Sequence, residues 1–292
     1  MKLGMWFANV GPWAFPEHAL TLLRAAEASG YDSLWTGDHP VMVKGYTSRY
    51  PYSPSGRLML PEETPLIDSF AFLAWAAAHS DALKLCTGVL VLPHRNPVLV
   101  AKQAASVDAL SGGRMVLGVG IGWMREEYAA LGASWSDRAE RLEEGIAVMR
   151  ALWTQSSPGF DGRYHAFEGA CSYPQPAAPG GVPVVVGGSS LAAARRAGRL
   201  GDGYFGLAGG DVPLERLLKE VRAAAVSADR DPDQIEVSWG VAPGDDGSLP
   251  LSRDDVERYA ELGVSRLIVP PVSFDPTQVA AATEQFVGDH IS

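Results

Sequence analysis

Cysteine is scarce: the chain has two in 292 residues, Cys86 and Cys171. With one of them inside an apolar run, the pair excludes a disulfide framework and suits a reducing compartment. Positive charge is also short. Against 34 Asp and Glu stand 24 Lys and Arg, a formal net charge of −10, and no basic stripe offsets it, so nucleic acid is not an expected partner. No apolar stretch approaches the roughly 20 residues that cross a bilayer, and no membrane partner is expected. The N-terminus enters strand-like sequence at once, without the basic region and apolar core of a signal peptide, so the expected location is cytoplasmic. Six scattered histidines, with no HxxxH spacing and no Cys/His cluster, indicate no metal site. There is no G-x-S-x-G. Gly187 to Ser190 lack the lysine and the length of a P-loop, and Trp123 stands where G-x-G-x-x-G would need its third glycine.

What is present is an ordinary soluble composition, 47% hydrophobic and 20% charged, enough for a large core. The stretch from Leu85 to Gly122 organises it. Leu85 to Leu92 reads as a strand buried on both faces, and Val98 to Leu110 as a helix entered at Pro97 and stopped by Gly112-Gly113. Met115 to Val119 is the next strand, running into the spaced glycines Gly118, Gly120 and Gly122. Two parallel strands joined by a helix put glycine-rich residues at the strands' carboxyl ends, where ligands bind in such sheets.

The same unit repeats along the chain. Strands are expected at Lys2 to Asn9, Tyr31 to Thr36, Val182 to Val186, Gly203 to Leu207, Ile235 to Val241 and Arg266 to Val269. Helices are expected at Glu17 to Ser29, Leu66 to His79, Trp123 to Leu131, up to Trp153 behind an Asp137/Glu140 capping box, Leu191 to Leu200, Val212 to Ala228, Asp254 to Leu262 and Pro276 to Val287. Eight strands alternating with helices over this length favour one (β/α)8 TIM barrel spanning residues 1–292, with a doubly wound open sheet as the alternative. Two insertions interrupt it at the barrel's C-terminal face: Val41 to Pro65, expected as a mobile lid, and Ser156 to Gly181, with hairpin strands around Tyr164 to Phe167.

Three groups fall at predicted strand ends. Asp38-His39 follows strand two; His39 there suits proton transfer with Asp38 orienting it, or Asp38 merely caps the loop. Thr87-Gly88-Val89-Leu90 marks a bulge or a close ligand approach, or simply tight packing. Gly187-Gly188-Ser189-Ser190 joins a strand to a helix N-terminus and suits a phosphate, with a plain serine cap as the other reading. Trp6, Phe7, Trp13, Trp123, Tyr46, Tyr50 and Tyr52 are candidates for an aromatic pocket. Lys44, Arg49, Arg57, Arg195 and Arg199 are candidates to meet anions.

Together these motifs resemble the luciferase-like monooxygenase superfamily, in its branch of oxidoreductases that use the deazaflavin coenzyme F420. The resemblance rests on Ser33 to His39, Thr87 to Pro93 with Arg95-Asn96-Pro97, Leu110 to Arg114 leading to Gly118 through Trp123, Arg125 to Tyr128, and Gly187 to Ser190 with Arg199 to Gly203. It implies the family's bacterial luciferase-like barrel, with a flavin-like ring across its carboxyl end. It implies a bulge with a non-proline cis peptide at Gly88-Val89 behind the ring. It also implies Asp38 near the ring, His39 beside the substrate, and a cofactor phosphate at Gly188, Ser189 and Ser190. The expected site is therefore His39 and Asp38 as catalytic residues, with Asp38, Gly88, Val89, Gly120, Gly122, Gly187, Gly188, Ser189 and Ser190 holding the cofactor. Trp123 stands where some sugar-phosphate dehydrogenases of the branch have a glutamate acid, which points away from that reaction. The implied activity is F420-dependent hydride transfer to or from a small organic substrate. FMN with a two-component monooxygenase activity is the alternative, and a non-catalytic carrier a further one. Dimers are common in the family, so a homodimer is expected.

Overall fold

The computed structural model describes residues 1–243 and 248–291. Short, largely apolar runs of two to six residues form the strands, in chain order β1 (Lys2–Met5), β2 (Ser33–Thr36), β3 (Lys84–Thr87), β4 (Leu90–Val91), β5 (Met115–Gly120), β8 (Val184–Gly187), β9 (Gly203–Leu207), β10 (Glu236–Gly240) and β11 (Arg266–Val269), with a small hairpin of β6 (Phe160–Asp161) and β7 (Ala166–Phe167) between β5 and β8. The order around the sheet is β3-β2-β1-β11-β10-β9-β8-β5-β4, and β3 also pairs with β5. All these pairings outside the hairpin are parallel. Because β3 and β4 are halves of one interrupted strand, the ring closes as an eight-stranded barrel. The (β/α)8 TIM barrel is the architecture, and the open sheet is not.

Helices α1 (Pro16–Ala28), α2 (Ser69–Ala77), α3 (Pro97–Ser111), α4 (Arg125–Ala130), α5 (Arg138–Thr154), α6 (Leu191–Leu200), α7 (Leu214–Ser227), α8 (Arg253–Glu261) and α9 (Val279–His290) connect the strands. Local chemistry sets their ends. Asn96 caps α3 by accepting from Val98 N, with Pro97 first in the helix and Gly112 closing it at φ 67°. Asp68 accepts from Phe70 N and Ala71 N, which starts α2 at Ser69 rather than at Leu66. The capping box expected at Asp137 is absent: its carboxylate turns to Arg141 Nε at 2.9 Å instead. A true box forms at Ser252 and Asp255. The polar loop before α8 lies partly outside the described residues.

Two apolar layers result. A large one lies between barrel and helices, with Trp13, Leu34, Leu117 and Val186 in it. A small one fills the barrel itself with Trp6, Trp35, Cys86, Val185, Phe205 and Ile268. Strand one ends at Met5 and not at Asn9, since Phe7 takes a φ of 51°. The Asn9 amide then bridges the Gly37 and Ile67 carbonyls and accepts from Gly37 N. That turn shapes one wall of the carboxyl-end mouth. No helix among the described residues is long and apolar enough to cross a membrane.

Candidate active site

The carboxyl ends of the strands surround a cavity of about 390 Å³. The residues expected to act on substrate or hold a cofactor line it: Asp38, His39, Gly88, Val89, Gly120, Gly122, Gly187, Gly188, Ser189 and Ser190. Their roles differ from expectation in two places.

The first concerns His39. Its Nδ1 lies 2.9 Å from Glu127 Oε2, whose side chain is 1% exposed. A carboxylate facing Nδ1 makes that nitrogen the donor and leaves Nε2 as the ring's free acceptor. Glu127 Oε1 also accepts from Val41 N at 3.3 Å, so the carboxylate grips both sides of the turn that carries His39. Asp38, expected to orient the ring, does not. Its Oδ2 accepts from Val91 N at 2.8 Å and its Oδ1 from Arg95 at 2.5 Å, which ties β2 to the resumed strand β4. Burial pushes the Asp38 carboxyl up, while Arg95 and the Val91 amide pull it back down. Asp38 is an anchor, and Glu127 is the positioning residue. Half-buried His94, edge-on to Tyr128, is pushed down to about 4 by desolvation.

The floor is the interruption of strand three. The Gly88-Val89 peptide is cis; Trp6 Nε1 donates to the Gly88 carbonyl at 2.7 Å, and Gly88 N donates to Thr36 O at 2.8 Å. The Val89 side chain drops into a hollow left by glycines of β5 and β8. A Cβ on Gly120 or on Gly187 would lie 2.7 Å from a Val89 methyl. The glycines at 120 and 187 are thus required by close packing against Val89 under the floor.

The second difference lies at the turn before α6. Ser189 Oγ donates to Leu207 O and accepts from Leu207 N, both at 2.8 Å, so its only hydroxyl proton is spent inside the fold. Ser190 Oγ accepts from Ala193 N and caps the helix. Gly188 holds φ at 128°, reached with ease only by glycine. Ser189 N donates to the Tyr52 hydroxyl at 3.3 Å. What remains for an anion is the amide set of the first helical turn, since Ala193 alone among those amides is met by the cap. The phosphate reading keeps its backbone donors but loses the Ser189 hydroxyl.

The 41–65 segment covers the mouth without regular structure, yet it is well tied. Glu126 Oε1 accepts from Thr47 N, Thr47 Oγ1 and Ser48 N at 2.7, 2.7 and 3.1 Å. Trp123 sits with ring centroids 5.7 Å from His39 and 5.2 Å from both Tyr46 and Tyr50. Of the proposed aromatics, Trp6, Phe7, Tyr50, Tyr52 and Trp123 reach the cavity. Tyr46 packs behind Trp123, and Trp13 belongs to the outer core. The proposed cations do not reach it. Lys44 pairs with Glu63, Arg49 donates to Pro54 O, Arg57 to Tyr46 O, Arg195 pairs with Glu220 and Arg199 with Glu143.

The Gly88-Val89 backbone, the His39 ring and the first turn of α6 thus face one cavity at the carboxyl end of the barrel. The sequence profile of the family described as luciferase-like monooxygenase matches residues 7–243. The chain belongs to the luciferase-like monooxygenase family. An F420-dependent glucose-6-phosphate dehydrogenase of Mycobacterium tuberculosis is 31% identical over 272 residues, covering 91% of this chain and 75% of that one. An uncharacterised protein of the same organism is 35% identical over 251 residues, covering 86% and 83%. Among solved structures, the monooxygenase RslO1 of Streptomyces bottropensis superposes with a TM-score of 0.77 at 21% identity, over 100% of this chain and 98% of that one, a likeness of fold. Family membership makes this chain an oxidoreductase of the luciferase-like type.

Sequence reasoning had the stretch Arg125 to Tyr128 in hand but gave Glu126 and Glu127 no role. The available signal was two carboxylates in the first turn of a helix that leaves a glycine-rich strand end. Both land on the His39 side of the mouth. The partner of Arg95, Asp38, is likewise not visible in the sequence.

Proposed function

We propose that this protein is an F420-dependent oxidoreductase that transfers hydride between the deazaflavin and a carbon of a small organic substrate, with His39 handling the accompanying proton. The observation that carries the reading is His39 fixed through Nδ1 by buried Glu127, with Nε2 left to a cavity lined by the Gly88-Val89 segment. The name of the 31% identical relative supports F420 as the cofactor. The residues present fit such a group: the Gly88-Val89 backbone would lie behind its ring and the first turn of α6 would meet its phosphate. When bound, the deazaflavin supplies a hydride acceptor or donor at C5.

The rest of the chemistry belongs to the chain. Glu127 holds one tautomer of His39 and stabilises the imidazolium that forms if Nε2 takes the substrate hydroxyl proton; in the reverse direction that proton is returned. Burial pushes the Tyr50 and Tyr52 hydroxyls up, so both remain neutral hydrogen-bonding groups on the wall. The tied cover over Trp123 limits water at the mouth.

The test is to incubate purified protein separately with F420 and FMN, remove free ligand, and record the absorbance of what stays bound. Retained F420 supports the reading. Retained FMN in its place moves the protein to the two-component monooxygenase reading, and retention of neither overturns both.

A further inference from the structure

We propose that the molecule received beside His39 is uncharged and compact, with an apolar body and a single oxygen function, and that phosphorylated sugars are excluded from this site. The inference rests on the reading that this cavity receives the substrate.

The relatives at 30–31% identity carry a name whose substrate is a phosphate dianion. A buried phosphate needs Arg or Lys or an organised set of N–H donors, because the dianion sheds hydration that nothing else replaces. Among the described residues, no Lys or Arg lines the cavity. Three cations of the surrounding loops are spent within the fold: Arg95 on Asp38, Arg57 on Tyr46 O and Glu62, Lys44 on Glu63. The carboxyl groups on the wall are Asp38, paired with Arg95, and Asp211, so the wall offers an anion no net positive charge. The organised N–H set is the α6 turn, which the cofactor phosphate takes in the proposed reading. What is left is Trp123, Tyr50, Phe7, Leu58, Leu60 and Leu66, an apolar surround with His39 Nε2 as its acid–base group. At about 390 Å³ the cavity is near the lower end of the roughly 300–1,000 Å³ common for ligand sites. A tricyclic ring and a substrate must share it, which limits the substrate to a compact body.

The probes are cyclohexanol and cyclohexyl phosphate, the same body without and with the dianion. They are titrated into cofactor-free protein in saturating inorganic phosphate, which fills the α6 turn so that anion binding there is not scored. Binding is read on the His39 ring resonances, identified among the six histidines by their loss in His39→Gln. Cyclohexanol is expected to shift them with an affinity about a hundredfold or more above that of cyclohexyl phosphate, and without salt dependence. Equal or tighter binding of the phosphate, or a shift from neither probe, overturns the proposal. F420 retention is measured in parallel. Protein that binds cyclohexanol beside His39 but retains no F420 keeps the substrate class and loses the cofactor assignment.

Discussion

The two ends of this barrel handle buried charge in opposite ways. At the amino end, Arg266 is 3% exposed and fully engaged: it meets Asp32 at 2.7 Å and Glu236 at 3.2 Å, and donates to Ser238 Oγ at 3.3 Å. Lys2 adds a second contact to Glu236 at 2.8 Å. Arg266 and Lys2 thus both meet anions, and this plug is closed on itself. At the carboxyl end the His39 ring meets a partner at Nδ1 only, and Arg95 and Arg57 are turned to the protein's own oxygens. A closed set of partners makes a foundation; a set left open by one nitrogen makes a site. The comparison predicts that substitutions at one end change chemistry while those at the other change stability.

The largest effect belongs to His39→Gln. Glutamine keeps a hydrogen-bonding side chain but cannot shuttle the proton, so turnover should fall about 10²–10⁴-fold while retained cofactor changes little. Glu127→Gln leaves the ring in place without its carboxylate and should cost about tenfold, with an altered pH profile, since the imidazolium loses its counter-charge. Steady-state rates on the true substrate beside cofactor titration check both. Near-normal turnover in His39→Gln would reduce the ring to a wall residue and erase the contrast between the two ends.

Arg266→Met is the mirror experiment. It strands two carboxylates at the amino end and should cost about 3 kcal/mol of stability, the lower part of the range for breaking a buried pair because Asp32 and Glu236 keep some solvent. Thermal unfolding reads the loss. Activity per folded molecule should stay unchanged; a drop in turnover at full folding would show that the ends are coupled.

The fold was legible in the sequence because each strand is a short apolar run bounded by glycine or polar residues, a local pattern that burial in a closed barrel rewards. The cavity lining was legible because strand ends converge on one mouth in this architecture. Partners across the mouth were not. Glu127 reaches His39 from 88 positions away, and no spacing rule links a loop histidine to a helix two units later. The Ser189 hydroxyl illustrates the converse error: a phosphate-like motif says which donors exist, but Leu207 takes that proton first. Ends of elements were misjudged where one side chain decides, as at Asp68 and Asp137.

Ser189→Ala now carries a different expectation from the motif alone. Its hydroxyl proton goes to Leu207 O, so the substitution should cost about 1 kcal/mol of stability and leave cofactor affinity nearly unchanged. Ser190→Ala removes the α6 cap at a similar cost of about 1 kcal/mol, and it loosens the turn that presents the amides. Unfolding midpoints and cofactor titrations of the two variants separate these roles. A large affinity loss in Ser189→Ala would return that hydroxyl to the phosphate.

The smallest effect concerns the cover, and it decides whether residues 41–65 move. Bonds from Ser48 and Thr47 hold the Glu126 carboxyl down to about 2, against an ordinary value of 4.5. A depressed carboxyl contributes its share of attachment in full above about 4.5 and loses it as pH falls toward 2. Across the neutral range the staple is therefore constant. The amides of Thr47 and Ser48 should be protected from hydrogen exchange even without cofactor, with protection, corrected for intrinsic rates, fading only between about pH 4.5 and 2. Glu126→Ala should raise their exchange about tenfold, the worth of a charge-assisted bond near 1.5 kcal/mol, with little change in the global unfolding midpoint. Such a pattern makes the segment a fixed roof whose aromatic underside, Trp123 with Tyr50, is assembled before any ligand arrives. Exchange at free-loop rates in the unmodified protein, followed by protection on adding cofactor, would instead make it a lid, and the open end of the barrel would then be completed only by binding.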